Sequence, residues 1–193
     1  TILQIMTSIG AQTLAIRGSE KSTYGKLYER LILGVLLEIL GFKLVDRENI
    51  KNPKKVFWLS SRDEKRESDA TLLFEAGKGV RFDIGFIGRG NPEISLDKVS
   101  RFEREITLGK TKWFMATIIV VDRIGQNSRI EALAKRIGGD IVQMSGAYWP
   151  LRVAEVLKER TGYKSELLGM KDKEVLQYLK KKIARIDFQK LIK

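Results

Sequence analysis

Residues 70–87 of the chain read ATLLFEAGKGVRFDIGFI, and this stretch decides the fold. Two apolar-rich runs, 70–76 and 80–87, are joined by Gly-Lys-Gly at 77–79. Glycines accept the positive φ angles that tight connections require, and such runs around a three-residue loop are typical of a β-hairpin. The sequence therefore predicts an antiparallel hairpin with 77–79 as its turn.

Side chains of this hairpin should alternate between its two faces, because a strand has a side-chain period of two. With 77–79 as the loop, we expect Phe74 opposite Phe82 and Leu73 opposite Asp83. One face is then apolar and should pack on the core, with Leu72, Phe74, Phe82, Ile84 and Phe86. The other face carries Asp69, Thr71, Arg81, Asp83 and Gly85. Two carboxylates thus converge on one face, and a register slip of one residue would break the arrangement.

The flanking sequence predicts further helices and strands. A nearly continuous apolar run, 22–40, predicts a largely buried helix that is capped by Ser22 or Thr23 and stopped by Gly41. Strands are predicted at 42–45, 56–59, 113–121 and 140–144, and helices at 95–106, 128–137, 150–160 and 171–193. Because the hairpin leads into β-α-β crossovers, we expect an α/β fold in which a mixed central sheet is sandwiched by helices.

The length of 193 residues suits a single domain, 1–193, with an N-terminal segment at 1–20 and a basic helical tail at 165–193. No run of about 20 apolar residues is present, so we expect no membrane span. The opening TILQIMTSIGAQTLAI lacks a charged leader, so we expect no signal peptide and a soluble, cytoplasmic protein.

The absence of cysteine and histidine excludes several kinds of chemistry. Disulfides, thiolate nucleophiles, the Ser-His-Asp triad and zinc sites built from Cys or His are all impossible. Any hydrolysis must then rest on carboxylates, lysines and hydroxyls. A site with oxygen ligands suits a hard cation such as Mg²⁺.

The charge of the chain points to a polyanionic partner. The 36 Lys and Arg residues against 24 Asp and Glu residues give a net charge of +12. Nucleic acid is the first candidate partner and an anionic membrane surface the second. The alternative is a generally basic, heat-adapted protein with no such partner.

Asp69 and Asp83 are the residues that best fit a chemical site. Two carboxylates on adjacent strands can hold a divalent cation, which orients and polarises a phosphate and activates a water. The alternative is that both are ordinary polar residues on a solvated sheet face, with Asp83 paired to its neighbour Arg81.

The arrangement resembles the PD-(D/E)xK nuclease superfamily, especially the type II restriction endonucleases. Ser68-Asp69 matches the first acidic motif, and VRFDIG at 80–85 matches the second, which binds Mg²⁺ together with the first. The resemblance covers roughly residues 20–160, and FDIGFIGRGNPEISLDK at 82–98 is similar to a CfrBI-like subgroup. It also implies that Glu29, in the N-terminal helix, sits at the position of an accessory site acid.

The sequence departs from that family at position 85, where Gly85 replaces the expected lysine. That lysine normally helps to position the attacking water and to stabilise charge on the phosphate. Lys98, one turn into the next helix, is the first candidate for a migrated lysine, with Lys110 and Lys112 behind it. A second registration takes Asp83 as the first acid and Glu93-Ile94-Ser95 as the second motif, and makes Glu93 a site acid.

Four arginines are candidate DNA contacts: Arg81, Arg89, Arg101 and Arg104. Each is alternatively a solvated surface residue. The resemblance implies a Mg²⁺-dependent endonuclease that cuts a short sequence in double-stranded DNA, acting as a homodimer with one active site per strand. The alternatives are a structure-specific or repair nuclease of the same fold, and a DNA-binding relative that has lost catalysis with its lysine.

Overall fold

The computed structural model describes residues 19–60, 68–76, 78–85, 114–122, 139–145 and 148–192. The helices predicted at 95–106 and 128–137 lie outside these residues, as does Phe86. The helices are α1 (Ser19–Ile39), α2 (Trp149–Thr161), α3 (Asp172–Ile183) and α4 (Phe188–Ile192). The strands are β1 (Lys43–Leu44), β2 (Val56–Leu59), β3 (Ala70–Glu75), β4 (Lys78–Gly85), β5 (Phe114–Val121) and β6 (Gly139–Gln143), and a short 3₁₀ turn spans Arg47–Asn49.

The strands form one mixed sheet in the order β1-β2-β3-β4-β5-β6. Strand β3 runs antiparallel to both β2 and β4, whereas the pairs β1–β2, β4–β5 and β5–β6 are parallel. Parallel neighbours need crossover connections, and the antiparallel pair needs only a tight turn. The predicted α/β architecture, with an antiparallel hairpin beside parallel crossovers, is therefore confirmed.

Helix α1 forms because its apolar side chains are nearly continuous from Leu31 onward, and it ends at Gly41 as predicted. Gly41 has a φ of 95°, a conformation that glycine adopts without strain. The N–H of Phe42 donates to the carbonyl of Leu37 at 3.0 Å, and the N–H of Gly41 donates to the carbonyl of Glu38 at 3.0 Å. This pair of bonds satisfies carbonyls that the helix end would otherwise leave without partners. The predicted start is wrong, because Ser22 and Thr23 lie inside a helix that already includes Ser19.

The register of the β3–β4 hairpin differs from the predicted one. Phe82 pairs with Ala70 rather than Phe74, and Leu73 pairs with Gly79 rather than Asp83. The cause is a shorter connection, because Lys78 and Gly79 belong to β4 and not to the turn. The partner moves by an even number of residues, so each side chain keeps its predicted face. The wrong register therefore leaves the two carboxylates on the same face.

The apolar face of the sheet packs against the helices in one hydrophobic cluster. Leu72, Phe82 and Ile118 from the sheet are fully buried in it with Leu36 of α1 and Leu157 of α2. Each such side chain contributes roughly 1.5–3 kcal/mol by leaving water. This cluster is the main source of stability for the sheet on which the acids stand.

The opposite face of the sheet is also buried around the two acids, although it is only half-buried further along the strands. Ile119 and Val121 of β5 are fully buried and stand in register with Asp83 and Gly85 of β4. Asp83 has no exposed surface, and Asp69 is 6% exposed. The alternative prediction, two polar residues on a solvated sheet face, is therefore wrong.

The C-terminal residues form two short helices that pack on α1. Leu191 of α4 lies so close to α1 that a Cβ at Gly34 would come within 2.5 Å of its side chain. The hydroxyl of Tyr178 in α3 donates to the carbonyl of Ile39 at 3.0 Å, and that of Tyr163 donates to the carbonyl of Leu40 at 2.7 Å. The C-terminal residues thus contact the second half of α1, from its middle to its C-terminal end.

Candidate active site

The two predicted acids lie at the edge of the sheet where β2 and β4 both end. Because β3 runs antiparallel to its neighbours, the residue before β3 meets the residues that end β2 and β4. We call this the site edge and define it by Ser60, Asp69, Asp83, Gly85 and Asp122. Carboxyl ends of parallel strands are a common location for binding sites in α/β sheets.

Asp69 is held against β4 by two hydrogen bonds. Its N–H donates to the carbonyl of Phe82 at 3.0 Å, and its Oδ2 accepts from the N–H of Ile84 at 3.0 Å. Phe82 and Ile84 flank Asp83 on β4, so Asp69 lies beside Asp83 on the neighbouring chain segment. The structure therefore brings together the two acids that the hairpin pattern singled out.

A set of short polar contacts holds the segment that carries Asp69. The N–H of Ser60, the residue after β2, donates to the carbonyl of Asp69 at 3.1 Å. The hydroxyl of Ser60 donates to the carbonyl of Ser68, and the hydroxyls of Ser68 and Thr71 lie 3.0 Å apart in a hydrogen bond. Ser68 and Thr71 are both buried. The backbone around Asp69 is consequently fixed from both neighbouring strands.

Burying two carboxylic acids side by side lowers the free energy of unfolding when both are ionised. Transferring a carboxylate out of water is unfavourable by several kcal/mol unless partners compensate for it, and two neighbouring negative charges repel each other. Polar groups held at such a cost are concentrated at functional sites. A divalent cation between the two carboxylates would offset both the desolvation and the repulsion.

Gly85 lies at the position where the lysine-containing pattern has its lysine. Gly85 is the last residue of β4, pairs with Val121 and accepts a hydrogen bond from the N–H of Asp122 at 3.3 Å. It lies on the same face as Asp83 and offers no side chain there. Arg81, on that face as well, is half-buried between Thr71 and Thr117 in the ladder.

The other site residues predicted from sequence divide into two groups. Glu29 lies on α1 directly before Arg30, whose guanidinium donates to the carbonyl of Ser60 at the site edge. The remaining candidates lie outside the described residues and stay predictions: Arg89, Glu93, Lys98, Arg101, Arg104, Lys110 and Lys112. Within the described ranges no cluster of three or more acids is close enough to form a complete metal site.

Two residues at this edge were missed by sequence reasoning. Arg30 directly precedes the apolar run that begins at Leu31, and a charged side chain in a helix predicted to be largely buried needs a partner. Asp122 is the first polar residue after the long buried strand β5, and its N–H is tied to Gly85. Polar residues at the carboxyl end of a buried parallel strand could have been singled out for their position alone.

The fold and the site together define a class of protein. A mixed sheet that carries two buried acids on adjoining segments of a hairpin has the architecture of the α/β, restriction-endonuclease-like proteins. None of the helices within the described residues is both long enough and apolar enough to cross a membrane.

Comparison with known proteins identifies the family. The family model for the CfrBI restriction endonuclease matches residues 1–129. The type II restriction enzyme CfrBI of Citrobacter freundii is 45% identical over 191 residues, which are 98% of this chain and 53% of that relative. The chain belongs to the CfrBI restriction endonuclease family, as the motif at 82–98 indicated. It spans about half the length of that curated relative, and no solved structure matches it.

Proposed function

We propose that this chain is the nuclease part of a type II restriction endonuclease that hydrolyses phosphodiester bonds in double-stranded DNA at a short specific sequence, with Mg²⁺ as cofactor. The observation that carries the proposal is the buried pair of Asp69 and Asp83 at the site edge. Membership of the CfrBI family and the net charge of +12 support DNA as the substrate.

The donor set at the site edge fits Mg²⁺. Carboxylate oxygens are the ligands that this cation prefers, and the chain has no histidine or cysteine that would favour a softer metal. Asp69 and Asp83 would hold the cation, with the Asp69 carboxylate oriented by the N–H of Ile84. When bound, the cation supplies positive charge that polarises the phosphate and makes a water easier to deprotonate.

The chain itself then has to orient the phosphate and the water. Water attacks phosphorus and loses a proton to solvent, while the bond from phosphorus to the leaving oxygen breaks and that oxygen takes a proton from water. Glu29 or Glu93 is proposed as a further ligand or as the acid that orients the attacking water. Lys98 is proposed to supply the positive charge that Gly85 cannot, at the phosphate on which negative charge builds up.

The DNA partner would be bound mainly through its phosphates. Arg81, Arg89, Arg101 and Arg104 are proposed as contacts to it, because guanidinium groups bind phosphate oxygens in a planar fork. A homodimer is proposed because two symmetric sites cut the two strands of a symmetric sequence. The cytoplasm, where a bacterial enzyme meets DNA, is the proposed location.

A second candidate function is supported by the glycine at position 85. A DNA-binding relative that had lost catalysis would retain the fold and the charge, and it would have no need of the lysine. A structure-specific or repair nuclease would share the site and differ in the DNA shape that it cuts.

The test is a cleavage assay on unmethylated phage DNA in Mg²⁺ or in EDTA, with Asp83→Asn beside the unchanged chain. We expect discrete Mg²⁺-dependent bands that weaken by about 10²- to 10³-fold or more in Asp83→Asn, since a proposed ligand of the cation loses its charge and the cation would no longer be held where negative charge develops. Glu75→Gln is the matched control, because it neutralises an acid of the same hairpin at its exposed end. Binding without cutting would favour the non-catalytic relative, and cutting only of branched DNA would favour the structure-specific nuclease.

A further inference from the structure

One guanidinium connects the site edge to the C-terminal helix. Nη1 of Arg30 donates to the carbonyl of Ser60 at 2.7 Å, and Nε of the same side chain donates to the carbonyl of Leu191 at 3.3 Å. Ser60 lies at the end of β2, and Leu191 lies in α4, so the two carbonyls belong to distant parts of the chain. Only an arginine offers two donors in a rigid plane with this spacing.

Ser60 is hydrogen-bonded both to Arg30 and to Asp69, so it connects the two residues. Its carbonyl accepts from Arg30, its N–H donates to the carbonyl of Asp69, and its hydroxyl donates to the carbonyl of Ser68. Each of its polar groups is thus engaged either with Arg30 or with the two residues that lead into β3. Hydrogen bonds from a charged donor are roughly twice as strong as neutral ones. A shift of Ser60 would therefore move Asp69 away from Ile84 and Asp83.

We propose that Arg30 is a positioning residue for the nuclease site, which fixes the Asp69 carboxylate through Ser60 and makes that position depend on the docking of α4. The inference rests on the proposed function. It adds Arg30 to the site and links the position of Asp69 to the docking of α4. Active sites depend on placement to within a fraction of an ångström, and a displacement of about 1 Å can lower a rate by 10²-fold. Arg30 acts through Ser60 and does not itself contact the reacting atoms.

The variant that tests this is Arg30→Lys. Lysine keeps the positive charge and most of the aliphatic stem, but a single ammonium cannot reproduce the planar arrangement of Nη1 and Nε across two carbonyls. We expect kcat to fall by about 10- to 100-fold, the range found when a residue that orients a ligand is removed. The Mg²⁺ concentration for half-maximal activity should rise, and KM for DNA should stay unchanged because the charge remains.

The matched control is Tyr178→Phe. The hydroxyl of Tyr178 also donates to a main-chain carbonyl of α1, but at Ile39, the last residue of that helix, whereas Arg30 lies near its middle. Loss of one such bond costs about 1 kcal/mol. We expect Tyr178→Phe to lower Tm without changing kcat or the Mg²⁺ dependence.

A second readout does not need activity. Amide hydrogen exchange of Ser60, Asp69 and Ile84 reports the bonds that hold the Asp69 carboxylate. We expect faster exchange at these three amides in Arg30→Lys and not in Tyr178→Phe, with both proteins kept well below their Tm.

Three outcomes would overturn the inference. If Arg30→Lys and Tyr178→Phe show the same kcat, Mg²⁺ dependence and amide exchange, Arg30 is only a structural contact. A raised KM with an unchanged kcat would make it a phosphate contact instead. If the unchanged chain does not cut DNA, the proposed nuclease function fails, and unaltered exchange at Asp69 and Ile84 in Arg30→Lys would remove the positioning role as well.

Discussion

The two ends of the β3–β4 hairpin carry ionisable residues that differ in solvent exposure. At the turn, Glu75 and Lys78 form an ion pair of 2.9 Å whose side chains are 55% and 51% exposed, and Lys78 also lies 6.0 Å from the ring centre of Phe74. At the other end, Asp69 and Asp83 are 6% and 0% exposed. The same hairpin thus carries an ion pair in water at one end and two acids out of water at the other.

This difference separates an ion pair that water screens from two buried acids that we propose to act in catalysis. An exposed ion pair costs little desolvation and contributes little, and the turn end can be changed freely. Two acids withdrawn from water lower stability unless something of opposite charge binds them. We therefore expect the site end to lose activity and the turn end to lose almost nothing when their charges are removed.

The largest effect is expected for Asp69→Asn, which tests the site end. The amide oxygen can still accept from the N–H of Ile84, but the negative charge is lost, so we expect cleavage to fall by about 10²- to 10³-fold or more. Tm in the absence of Mg²⁺ should change by no more than a few degrees, because the amide keeps the hydrogen bond from the N–H of Ile84. Thermal unfolding with and without Mg²⁺ measures this, and the Mg²⁺-dependent rise of the unchanged chain should disappear in the variant.

The matched variant for this experiment is Asp83→Asn, and the double variant tests whether the two acids act on one cation. If they do, the loss in the double variant should be far smaller than the product of the single losses. A marked drop in Tm for Asp69→Asn without Mg²⁺ would contradict the comparison, since it would show that the charge stabilises the fold.

The next effect is expected in the middle of the hairpin, where Leu72→Ala tests the packing that both ends share. Leu72 has no exposed surface and lies in the hydrophobic cluster below the sheet, so we expect a loss of about 2–5 kcal/mol in the free energy of unfolding. Leu73→Ala is the control, because it removes the same atoms from a half-buried position on the opposite face. Urea denaturation should show the smaller loss for Leu73→Ala, and equal losses would mean that the two faces are packed alike.

Face assignments in the hairpin could be predicted from sequence, whereas its register could not. Alternation of apolar and polar residues is a local property, so Leu72, Phe82 and Ile84 were placed on the core face and Asp69 and Asp83 on the other. Register depends on how many residues the turn uses, and GKG at 77–79 does not show that Lys78 and Gly79 continue the ladder.

Local signals were equally decisive for several boundaries. The strand at Val56–Leu59 was predicted with its observed limits, and Pro150 correctly marked the first turn of α2. The start of α1 was missed because a serine or threonine is a common N-cap but also occurs inside helices.

The candidate site was predictable only where it depends on one hairpin. Asp69 directly precedes β3 and Asp83 lies in the neighbouring strand β4, so the hairpin pattern brings them together. Arg30 reaches Ser60 and Leu191 across long sequence separations, and contacts between distant segments leave no periodic signal. The roles predicted for Glu93 and Lys98 fall outside the described residues and still await a test.

The smallest effect is expected at the turn, from Glu75→Gln. A hydrogen bond from Lys78, followed by the charge of that lysine, lowers the pKa of Glu75 below its ordinary value. A lowered pKa in the folded state means that the ion pair stabilises above the unfolded pKa and that this contribution is lost as pH falls through the folded pKa. Because both side chains are largely exposed, water screens the pair and the contribution should be close to the limit of detection.

We therefore expect Glu75→Gln to leave cleavage unchanged and to shift Tm at neutral pH by no more than the error of the measurement. Tm followed from neutral to acidic pH should give the same curve for Glu75→Gln, Lys78→Gln and the double variant. A Tm loss near that of Leu72→Ala would show that the turn anchors the hairpin register. In that case the exposed ion pair would stabilise the fold, and solvent exposure alone would not distinguish the role of the turn end from that of the site end.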